Sequence, residues 1–283
     1  MTIKLGSNSI SKLYKGSSEI QKVYLGNNLL LDNSSGGGDD PTPTGDYTTV
    51  FKMGFDGNLN YTSDFPDNVE VMLNYGHIDS SNYKFGTGSL KPTTSSDDQY
   101  HAIEFIADNS NDYDELTVDF WIYHPNDYFD EDFGYYDEPD TVFKAMWDDE
   151  EGETGNIEDS YIFIDFGSDS SNTADLIFSA ENYYAGSGST NASSEITFSD
   201  EIVKGSWQHI GLYKNSTGLY ALANGKIRLI SNDALLLQKF NNFKWADDDT
   251  SIGVSRAGLD EVRVSYGNPL ANFNLNTMTY TVP

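Results

Sequence analysis

The sequence predicts an all-β protein, and three observations carry that prediction. From residue 46 onward, short apolar or alternating segments rich in β-branched and aromatic residues, such as LTVDFWIY (116–123) and YIFIDFG (161–167), alternate with Gly, Asn, Asp and Ser. Helical periodicity is confined to one short candidate, DALLLQKF (233–240), which fits a helical turn. A ten-residue repeat opens the chain. Many short strands separated by turn residues favour a β-sandwich or a barrel.

The opening repeat occurs almost three times, as LGSNSISKLY (5–14), KGSSEIQKVY (15–24) and a clipped LGNNLLLD (25–32). It predicts a turn and a short strand per copy, with glycine supplying the freedom that the turn needs. Domains below roughly 40 residues usually need disulfides, a metal or oligomerisation, and the chain has no cysteine. We therefore expect residues 1–32 to pack on copies of themselves or on another surface, as an anchoring and oligomerisation module. A plain β-meander without a partner is the alternative.

The segment NSSGGGDDPTPTG (33–45) consists of small, polar and proline residues, which is typical of a linker that is stiffer at its proline end. Residues 46–283 then form one domain, long enough for a single large core. Along 117–123, Val118, Phe120 and Ile122 alternate with Asp119, Trp121 and Tyr123. This alternation predicts a strand with one face buried in that core.

The repeat resembles the short segments that open many tailed-phage virion proteins, although similar repeats also occur in bacterial surface proteins. The matching positions include Leu5, Gly6, Ile10, Lys12, Tyr14, Gly16, Ile20, Lys22, Tyr24, Leu25 and Gly26. The resemblance implies that this module anchors the chain to a phage capsid or tail protein, with a homo-oligomer expected and a trimer favoured. The virion-anchoring residues would be Leu5, Gly6, Ile10, Tyr14, Gly16, Ile20, Tyr24 and Gly26. The protein would be made in the host cytoplasm and lie on the virion surface.

The larger domain resembles the laminin-G-like, concanavalin-A-like jelly roll. The matching segments, in order, are FDG (55–57), FGTGSL (85–90), LTVDFWIY (116–123), W-x-H-I (207–210) with the Asn224-Gly225 hairpin, IG (252–253) and LDEVRVS (259–265). Asn-Gly suits a type I′ turn, in which both central residues have positive φ. The resemblance implies one structural calcium ion as a candidate cofactor, with Asp56 and Asp260 as its ligands. The alternative is that both carboxylates fix local turns.

The composition limits the partners. The formal net charge is −29, from 45 acidic and 16 basic side chains, which repels nucleic-acid backbones and anionic membranes. The chain also lacks an 18-residue apolar stretch and an apolar secretory signal. We therefore expect no nucleic acid and no membrane among its partners, and release by lysis rather than export.

Acidic and aromatic residues concentrate in HPNDYFDEDFGYYDEPD (124–140) and DDEEGETGNIED (148–159). Three interpretations stay open: a solvated or subunit-contacting loop, a cation site, or contact with sugars. In the last case the glycan-contact residues would be Tyr128, Phe129, Tyr135, Tyr136 and Trp147. No diagnostic metal-binding spacing accompanies these residues.

Catalytic motifs are missing from the sequence. Some glycanases with this jelly roll use two carboxylates at alternate positions of one strand, but 116–123 and 161–167 each carry a single acid, Asp119 and Asp165. His77, His101, His124 and His209 stand in no nucleophile motif, and we expect His209 to be packed. The sequence thus predicts no catalytic residues and a protein that is not an enzyme.

Together these features predict a bacteriophage virion structural protein, as a head fibre, decoration protein or tail appendage. Its jelly roll would be displayed outward, where it either binds host-surface polysaccharide through many weak contacts or only decorates the particle. The alternatives are a secreted or surface carbohydrate-binding adhesin and a polysaccharide-degrading enzyme.

Overall fold

The computed structural model divides the chain into two compact units, Met1–Asp40 and Pro41–Pro283, each of which is described by itself. In the smaller unit the structure describes six short strands between residues 4 and 32. In the larger unit it describes residues 47–57, 59–64, 69–73, 76–92, 103–107, 115–125, 140–147, 158–169, 172–184, 190–237, 240–245 and 257–283. Within these ranges no helix is long and apolar enough to cross a membrane.

The smaller unit consists of three antiparallel hairpins. Its strands are β1 (Lys4–Leu5), β2 (Asn8–Ser9), β3 (Leu13–Lys15), β4 (Ser18–Ile20), β5 (Lys22–Leu25) and β6 (Asn28–Asp32). Each strand pairs with its neighbour across a two-residue gap, with Leu5 opposite Asn8, Lys15 opposite Ser18 and Leu25 opposite Asn28. Every gap begins with a repeat glycine. The repeat thus specifies one hairpin around each glycine, whereas the pattern predicted one strand per copy.

The larger unit contains sixteen strands in the described residues. In chain order they are β7 (Thr48–Met53), β8 (Tyr61–Thr62), β9 (Val69–Leu73), β10 (Gly76–Asp79), β11 (Ser89–Pro92), β12 (Ile103–Ala107), β13 (Leu116–Tyr123), β14 (Asp140–Trp147), β15 (Glu158–Asp169), β16 (Thr173–Tyr184), β17 (Thr190–Val203), β18 (Trp207–Asn215), β19 (Gly218–Ala223), β20 (Lys226–Ser231), β21 (Asn242–Trp245) and β22 (Gly258–Tyr266). A 3₁₀ turn, Ala234–Leu236, lies where the sequence predicted a helical turn, and Asp233 caps it by accepting from the backbone N–H of Leu235 at 3.0 Å. The all-β prediction is confirmed.

These strands form two antiparallel sheets. The nine-stranded sheet has the order β10-β11-β22-β13-β18-β19-β20, with β7 also paired to β22 and β8 paired to β7. The seven-stranded sheet has the order β17-β16-β15-β14-β21-β12-β9. The turn between β19 and β20 has positive φ at Asn224 (45°) and Gly225 (85°), as the Asn-Gly sequence predicted.

The core lies between the two sheets, and residues from both line it. Val118, Phe120 and Ile122 of β13 belong to it, which confirms the predicted alternation. Phe51 of the nine-stranded sheet stacks on Phe105 of the seven-stranded sheet, with ring centroids 4.8 Å apart. Each aromatic or aliphatic side chain that becomes fully buried here stabilises the fold by roughly 1.5–3 kcal/mol.

The chain after β22 covers part of the outer face of the nine-stranded sheet. It contributes to a second hydrophobic cluster formed by Tyr213, Tyr220, Leu222, Ile227, Leu270 and Tyr280, with Phe273, Leu275, Met278 and Val282 packed against it. Backbone bonds tie it to the turn between β19 and β20: the N–H of Ile227 donates to Met278 O at 2.9 Å, and that of Tyr280 to Gly225 O at 3.0 Å. Residues 270–282, which we call the C-terminal cover, therefore occupy this outer face.

Candidate functional site

The two outer faces of the sandwich differ in what lies on them. On the nine-stranded sheet, besides the C-terminal cover, Lys84 and Phe85 pack on Trp121: Nζ of Lys84 is 4.1 Å from its ring and the ring of Phe85 is 5.5 Å away. Only 6% of Trp121 is exposed. The seven-stranded sheet instead presents ordered rows of polar and aromatic side chains.

Strand alternation determines which side chains point outward from the seven-stranded sheet. Residues such as Phe105, Ile164 and Phe178 belong to the core, so their neighbours along each strand lie on the opposite face. Strand pairing aligns one such position on each strand into a row of Met72, Glu104, Lys244, Lys144, Phe163, Ser179 and Glu195. A second row contains Glu70, Ile106, Asn242, Met146, Tyr161, Glu181 and Ser193.

Two aromatic rings form a platform near the middle of this face. Tyr161 and Phe163 occupy consecutive outward positions on β15, and their rings are 5.9 Å apart and inclined by only 16°. Nζ of Lys144, on the adjacent strand, lies 5.2 Å from the Tyr161 ring centroid and 5.5 Å from that of Phe163. Both aromatic residues are half-buried. Their arrangement provides a flat apolar surface of a kind that saccharide rings contact.

A polar cluster, which we call the Asn242 cluster, lies beside the platform and consists of Glu104, Lys144, Asn242 and Lys244. Nδ2 of Asn242 donates to Oε1 of Glu104 at 2.8 Å, and Nζ of Lys244 lies 3.8 Å from the same oxygen. Asn242 is only 8% exposed, and its Oδ1 accepts no hydrogen bond from the residues that the structure describes. Buried amide oxygens are usually bonded, so this atom has capacity for a donor.

Carboxylates flank the platform on its other side. Glu181 lies opposite Tyr161, while Glu195 lies opposite Ser179 on the next strand. Because Ser193 is the partner of Glu181, Glu181 and Glu195 are diagonal neighbours, and such positions have Cα atoms about 7–8 Å apart. The face therefore combines an apolar platform with groups that accept hydrogen bonds from hydroxyls.

A second buried polar group lies under the C-terminal cover. Arg263 donates from Nε to Oδ2 of Asp119 and from Nη2 to its Oδ1, both at 3.0 Å. Nε2 of His209 is 3.2 Å from that Oδ1, and Nδ1 is 3.0 Å from the hydroxyl of Tyr280. A carboxylate can only accept, so Nε2 carries the hydrogen, and in the neutral ring Nδ1 accepts from Tyr280.

The electrostatics of this group are those of a structural network. Burial alone would raise the pKa of Asp119, but the nearby Arg263 and His209 outweigh it and hold the pKa at about 2. Burial raises the pKa of Tyr280. His209 is fully buried, which confirms that it is packed. The network attaches the C-terminal cover to β13, β18 and β22.

The two residues predicted to bind calcium, Asp56 and Asp260, both hold the loop between β10 and β11. Oδ2 of Asp260 accepts from the backbone N–H groups of Lys84 and Phe85, each at 2.9 Å. Oδ1 of Asp56 accepts from the N–H of Thr87 at 2.7 Å. Burial raises the pKa of Asp260 to about 6, although these N–H groups oppose the shift.

The fit of this location to calcium can be tested on the described residues. Calcium takes about 6–8 oxygen ligands, but among these residues no group of three His, Cys, Asp or Glu side chains could hold an ion. The oxygens at this location also point at N–H donors. The oxygen atoms described at this location are too few to bind a calcium ion by themselves. The two carboxylates instead accept from backbone N–H groups, as expected if they fix local turns. A bound calcium stays a prediction.

The other predicted site residues lie mostly outside the described residues. These are Tyr128, Phe129, Tyr135, Tyr136, Gly6, Ile10, Gly16 and Gly26. Trp147 ends β14, and Leu5, Tyr14, Ile20 and Tyr24 lie in strands β1, β3, β4 and β5. The assignments of glycan contact and virion anchoring thus stay predictions.

Neither the platform nor the Asn242 cluster is among the sites predicted from the sequence. The alternation in YIFIDFG (161–167) contains the signal for the platform, because it puts Tyr161 and Phe163 on one face with Asp165. Lys144 and Lys244 offered no comparable signal, since only strand pairing brings them together.

Comparison with known proteins gives a likeness of fold. No protein-family model and no curated protein matches the chain. Domain 4 of an extracellular arabinanase of family GH43 from Geobacillus stearothermophilus, solved with arabinotriose, is similar at 13% identity, covering 79% of this chain and 94% of that one, with a TM-score of 0.45. The κ-carrageenase from Pseudoalteromonas carrageenovora is similar at 10% identity, with a TM-score of 0.45. The match covers 82% of this chain and 99% of the carrageenase chain. A Bacillus licheniformis β-glucanase is similar at 13% identity, with a TM-score of 0.40. The match covers 78% of this chain and 98% of the glucanase chain.

These findings correct one prediction. The expectation that the chain is not an enzyme is contradicted, because solved structures similar to it include a carrageenase and a β-glucanase, and it is withdrawn. It rested on the absence of paired acids along one strand, a test that ignores pairs formed across strands. The chain is an all-β protein whose larger unit is a sandwich of two antiparallel sheets.

Proposed function

We propose that the larger unit binds carbohydrate on the outer face of its seven-stranded sheet. The observation that carries this proposal is the platform of Tyr161 and Phe163, with rings 5.9 Å apart and nearly parallel. A pyranose ring presents C–H groups on one face, which pack on aromatic rings, and hydroxyls around its edge. The platform supports the first kind of contact and its neighbours support the second.

The neighbours of the platform suit hydroxyl groups. Ser179 lies beside Phe163 and Glu181 beside Tyr161 on the adjacent strand β16. A serine hydroxyl both donates and accepts, and a carboxylate accepts. These side chains lie on a regular sheet rather than in loops, which keeps their spacing constant and reduces the entropy lost on binding.

The test is calorimetric titration of the full chain with a panel of neutral and acidic polysaccharides. Tyr161→Ala and Phe163→Ala should each weaken binding at least about tenfold, which corresponds to about 1.4 kcal/mol, because residues that act as binding hot spots contribute about 2 kcal/mol or more. Tyr83→Ala is the matched control, since Tyr83 is 44% exposed and lies outside this sheet. Unchanged affinity in both platform variants, or binding of no polysaccharide, would refute the proposal.

Polysaccharide cleavage on the same face is a second candidate. It is favoured by the diagonal placement of Glu181 and Glu195 on this face, since most glycosidases use a pair of carboxyl groups that flank the scissile bond. Release of reducing ends from any polysaccharide that binds would be abolished in both Glu181→Gln and Glu195→Gln while binding persists. Equal turnover in the wild type and both variants would exclude this pair.

Attachment to a virion is a separate proposal, which rests on the period-ten repeat and its three hairpins. In it, residues 1–32 dock on a capsid or tail protein, as a homotrimer, and the sandwich faces host-surface polysaccharide from the virion surface. Co-sedimentation with phage particles, compared between the full chain and a chain lacking residues 1–32, tests it. Equal recovery of both chains with the particles would rule out docking through the repeat.

A structural calcium at Asp56 and Asp260 is likewise a proposal. If it is bound, EDTA should lower the melting temperature of the chain and added calcium should restore it, because a ligand that binds only the folded state stabilises that state. Asp260→Asn should lose this response. A melting temperature that does not respond to EDTA would remove calcium from this location.

A further inference from the structure

We propose that the outer face of the nine-stranded sheet has a saccharide-binding site of its own, centred on Trp207. This site, which we call the Trp207 site, consists of Trp207, Tyr123, Asn82 and Lys84. The inference goes beyond the proposed function, because the platform lies on the other sheet. Three features support it: the orientation of the indole, the contacts that fix it, and the hydrogen-bond donors beside it.

The indole of Trp207 lies along the sheet surface rather than standing out from it. Tyr123 on β13 pairs in register with Trp207 on β18 and with Gly258 on β22, so Gly258 is two strands away from Trp207. A Cβ added at Gly258 would nevertheless lie only 3.3 Å from Cη2 of that indole. Adjacent strands are about 4.7–4.9 Å apart, so the ring system must extend across β13. One face of the indole is therefore directed toward the sheet and the other away from it.

Two neighbours fix the indole in this orientation. Its Nε1 donates to Oδ1 of Asn82 at 3.2 Å, and the ring of Tyr123 lies 5.5 Å away, inclined by 48°. Asn82 belongs to the loop between β10 and β11, which Asp56 and Asp260 hold through its backbone N–H groups. Trp207 and Tyr123 are both half-buried, so part of each ring meets solvent. An aromatic surface that is already ordered loses little conformational entropy when a ligand binds.

Two side chains beside the indole supply hydrogen-bond donors. Asn82 uses Oδ1 for Trp207, which leaves its Nδ2 to donate. Lys84 is exposed, and its Nζ lies 4.1 Å from the ring of Trp121. Trp121 and Tyr123 are consecutive outward positions of β13, about 6.6–6.8 Å apart along the strand. The ammonium group thus lies one position along β13 from the part of the sheet that the indole covers.

This combination suits a pyranose ring better than a purely apolar ligand. The C–H face of a pyranose packs on an aromatic ring, while its hydroxyls accept from the amide of Asn82 and the ammonium of Lys84. An apolar ligand would offer these donors no acceptor. Because the platform and the Trp207 site lie on different sheets, one chain would hold two segments of a polysaccharide, and their combined avidity would exceed the affinity of either site.

The first test follows tryptophan fluorescence of the full chain during titration with xylan, a soluble β-glucan, alginate and polygalacturonate. Trp121 is 6% exposed and Trp245 is fully buried, whereas Trp207 is half-buried. A saccharide that covers Trp207 should therefore protect the fluorescence from quenching by acrylamide. We expect at least one polymer to give this protection, and Trp207→Phe should remove it. Equal quenching with and without every polymer would overturn the inference.

The second test measures affinity in a chain that lacks the platform. The Tyr161→Ala/Phe163→Ala double variant should keep part of its affinity for the protecting polymer. Adding Trp207→Ala should weaken that remaining affinity at least about tenfold, as expected for an aromatic hot spot. Adding Gly258→Ala should weaken it less, because the new Cβ would only lift the indole. Adding Tyr61→Ala is the matched control, since Tyr61 is 38% exposed and lies on β8 of the same sheet.

The outcomes separate this inference from the proposed function, and circular dichroism checks that each variant folds. Complete loss of binding in the platform double variant would overturn the Trp207 site while the platform stands. Remaining affinity that does not change on adding Trp207→Ala would also overturn it. Full affinity in the platform double variant, followed by its loss on adding Trp207→Ala, would support the Trp207 site and refute the platform. If no polysaccharide binds the unmodified chain, both are wrong.

Discussion

Replacing Asp119 with Asn should destabilise the larger unit more than any surface substitution. The side chain keeps its size, but the carboxylate that accepts two hydrogen bonds from Arg263 and one from His209 is lost. Arg263 is only 5% exposed and cannot move its charge into water without disturbing β22. The variant therefore removes the carboxylate that forms two hydrogen bonds with a buried cation.

The magnitude follows from the loss of that buried ion pair. Removing one partner of a buried ion pair typically costs about 3–5 kcal/mol of unfolding free energy. For a domain of this size, 1 kcal/mol corresponds to roughly 2–4 °C of melting temperature, so we expect Tm to fall by about 6–20 °C. The pKa of Asp119 in the folded state is about 2, below its ordinary value of 3.8. Its contribution is therefore fully present above pH 3.8 and is lost as the pH falls toward 2.

Urea unfolding followed by tryptophan fluorescence, together with calorimetry, measures this loss. Glu195→Gln is the control, since this exposed carboxylate should change stability by no more than about 0.5 kcal/mol. Adding Arg263→Met to Asp119→Asn should recover part of the loss, because the buried cation is then gone. A loss below about 1 kcal/mol in Asp119→Asn, or no recovery in the double variant, would refute the reasoning that the loss of the buried ion pair dominates.

Three further predictions concern the loop between β10 and β11 and the C-terminal cover. Gly86→Ala should cost roughly 2–4 kcal/mol, because φ is +60° and the added Cβ would overlap a carboxylate oxygen of Asp56. Gly57→Ala should cost less, because Gly57 also has positive φ but an added Cβ would meet only Thr87 Oγ1, at 4.0 Å; equal losses in chemical denaturation would contradict the steric argument. Asp260 has its pKa raised to about 6 from 3.8, so its contribution to stability is present below pH 3.8 and is lost as the pH rises through 6. Asp260→Asn should flatten the pH dependence of Tm in that window, and an unchanged profile would count against it. Tyr280→Phe removes the hydroxyl that bonds the buried imidazole and should cost about 1–3 kcal/mol, with faster amide hydrogen exchange in residues 270–282; unaltered exchange there would show that the hydroxyl does not hold the cover.

The predictable parts of this protein are those that local pattern controls. Alternation along 117–123 identified the buried face of β13, and Asn224-Gly225 identified a hairpin turn through its need for positive φ. Each of these signals lies within a few neighbouring residues, where side-chain period and turn sterics act directly.

The candidate site was largely beyond such reasoning. Asp119 is a single acid in its strand, and nothing near it in the sequence shows that Arg263 and His209 share its oxygens. Glu181 and Glu195 were not predicted as a pair either, because they are diagonal neighbours on two adjacent strands rather than residues of one strand. Register between strands distant in the chain decides these neighbours, and it depends on the whole sheet.

By itself, the sequence determined the β class, the repeat around Gly6, Gly16 and Gly26, and the strongly acidic net charge. Only the tertiary structure decided that Lys144 lies opposite Lys244. It also decided that the chain after β22 covers part of the outer face of the nine-stranded sheet, while rows of polar and aromatic side chains lie on the outer face of the seven-stranded sheet. The physical reason is that strand period and turn geometry are local properties. Which strands become neighbours depends instead on how both sheets bury their apolar faces against each other.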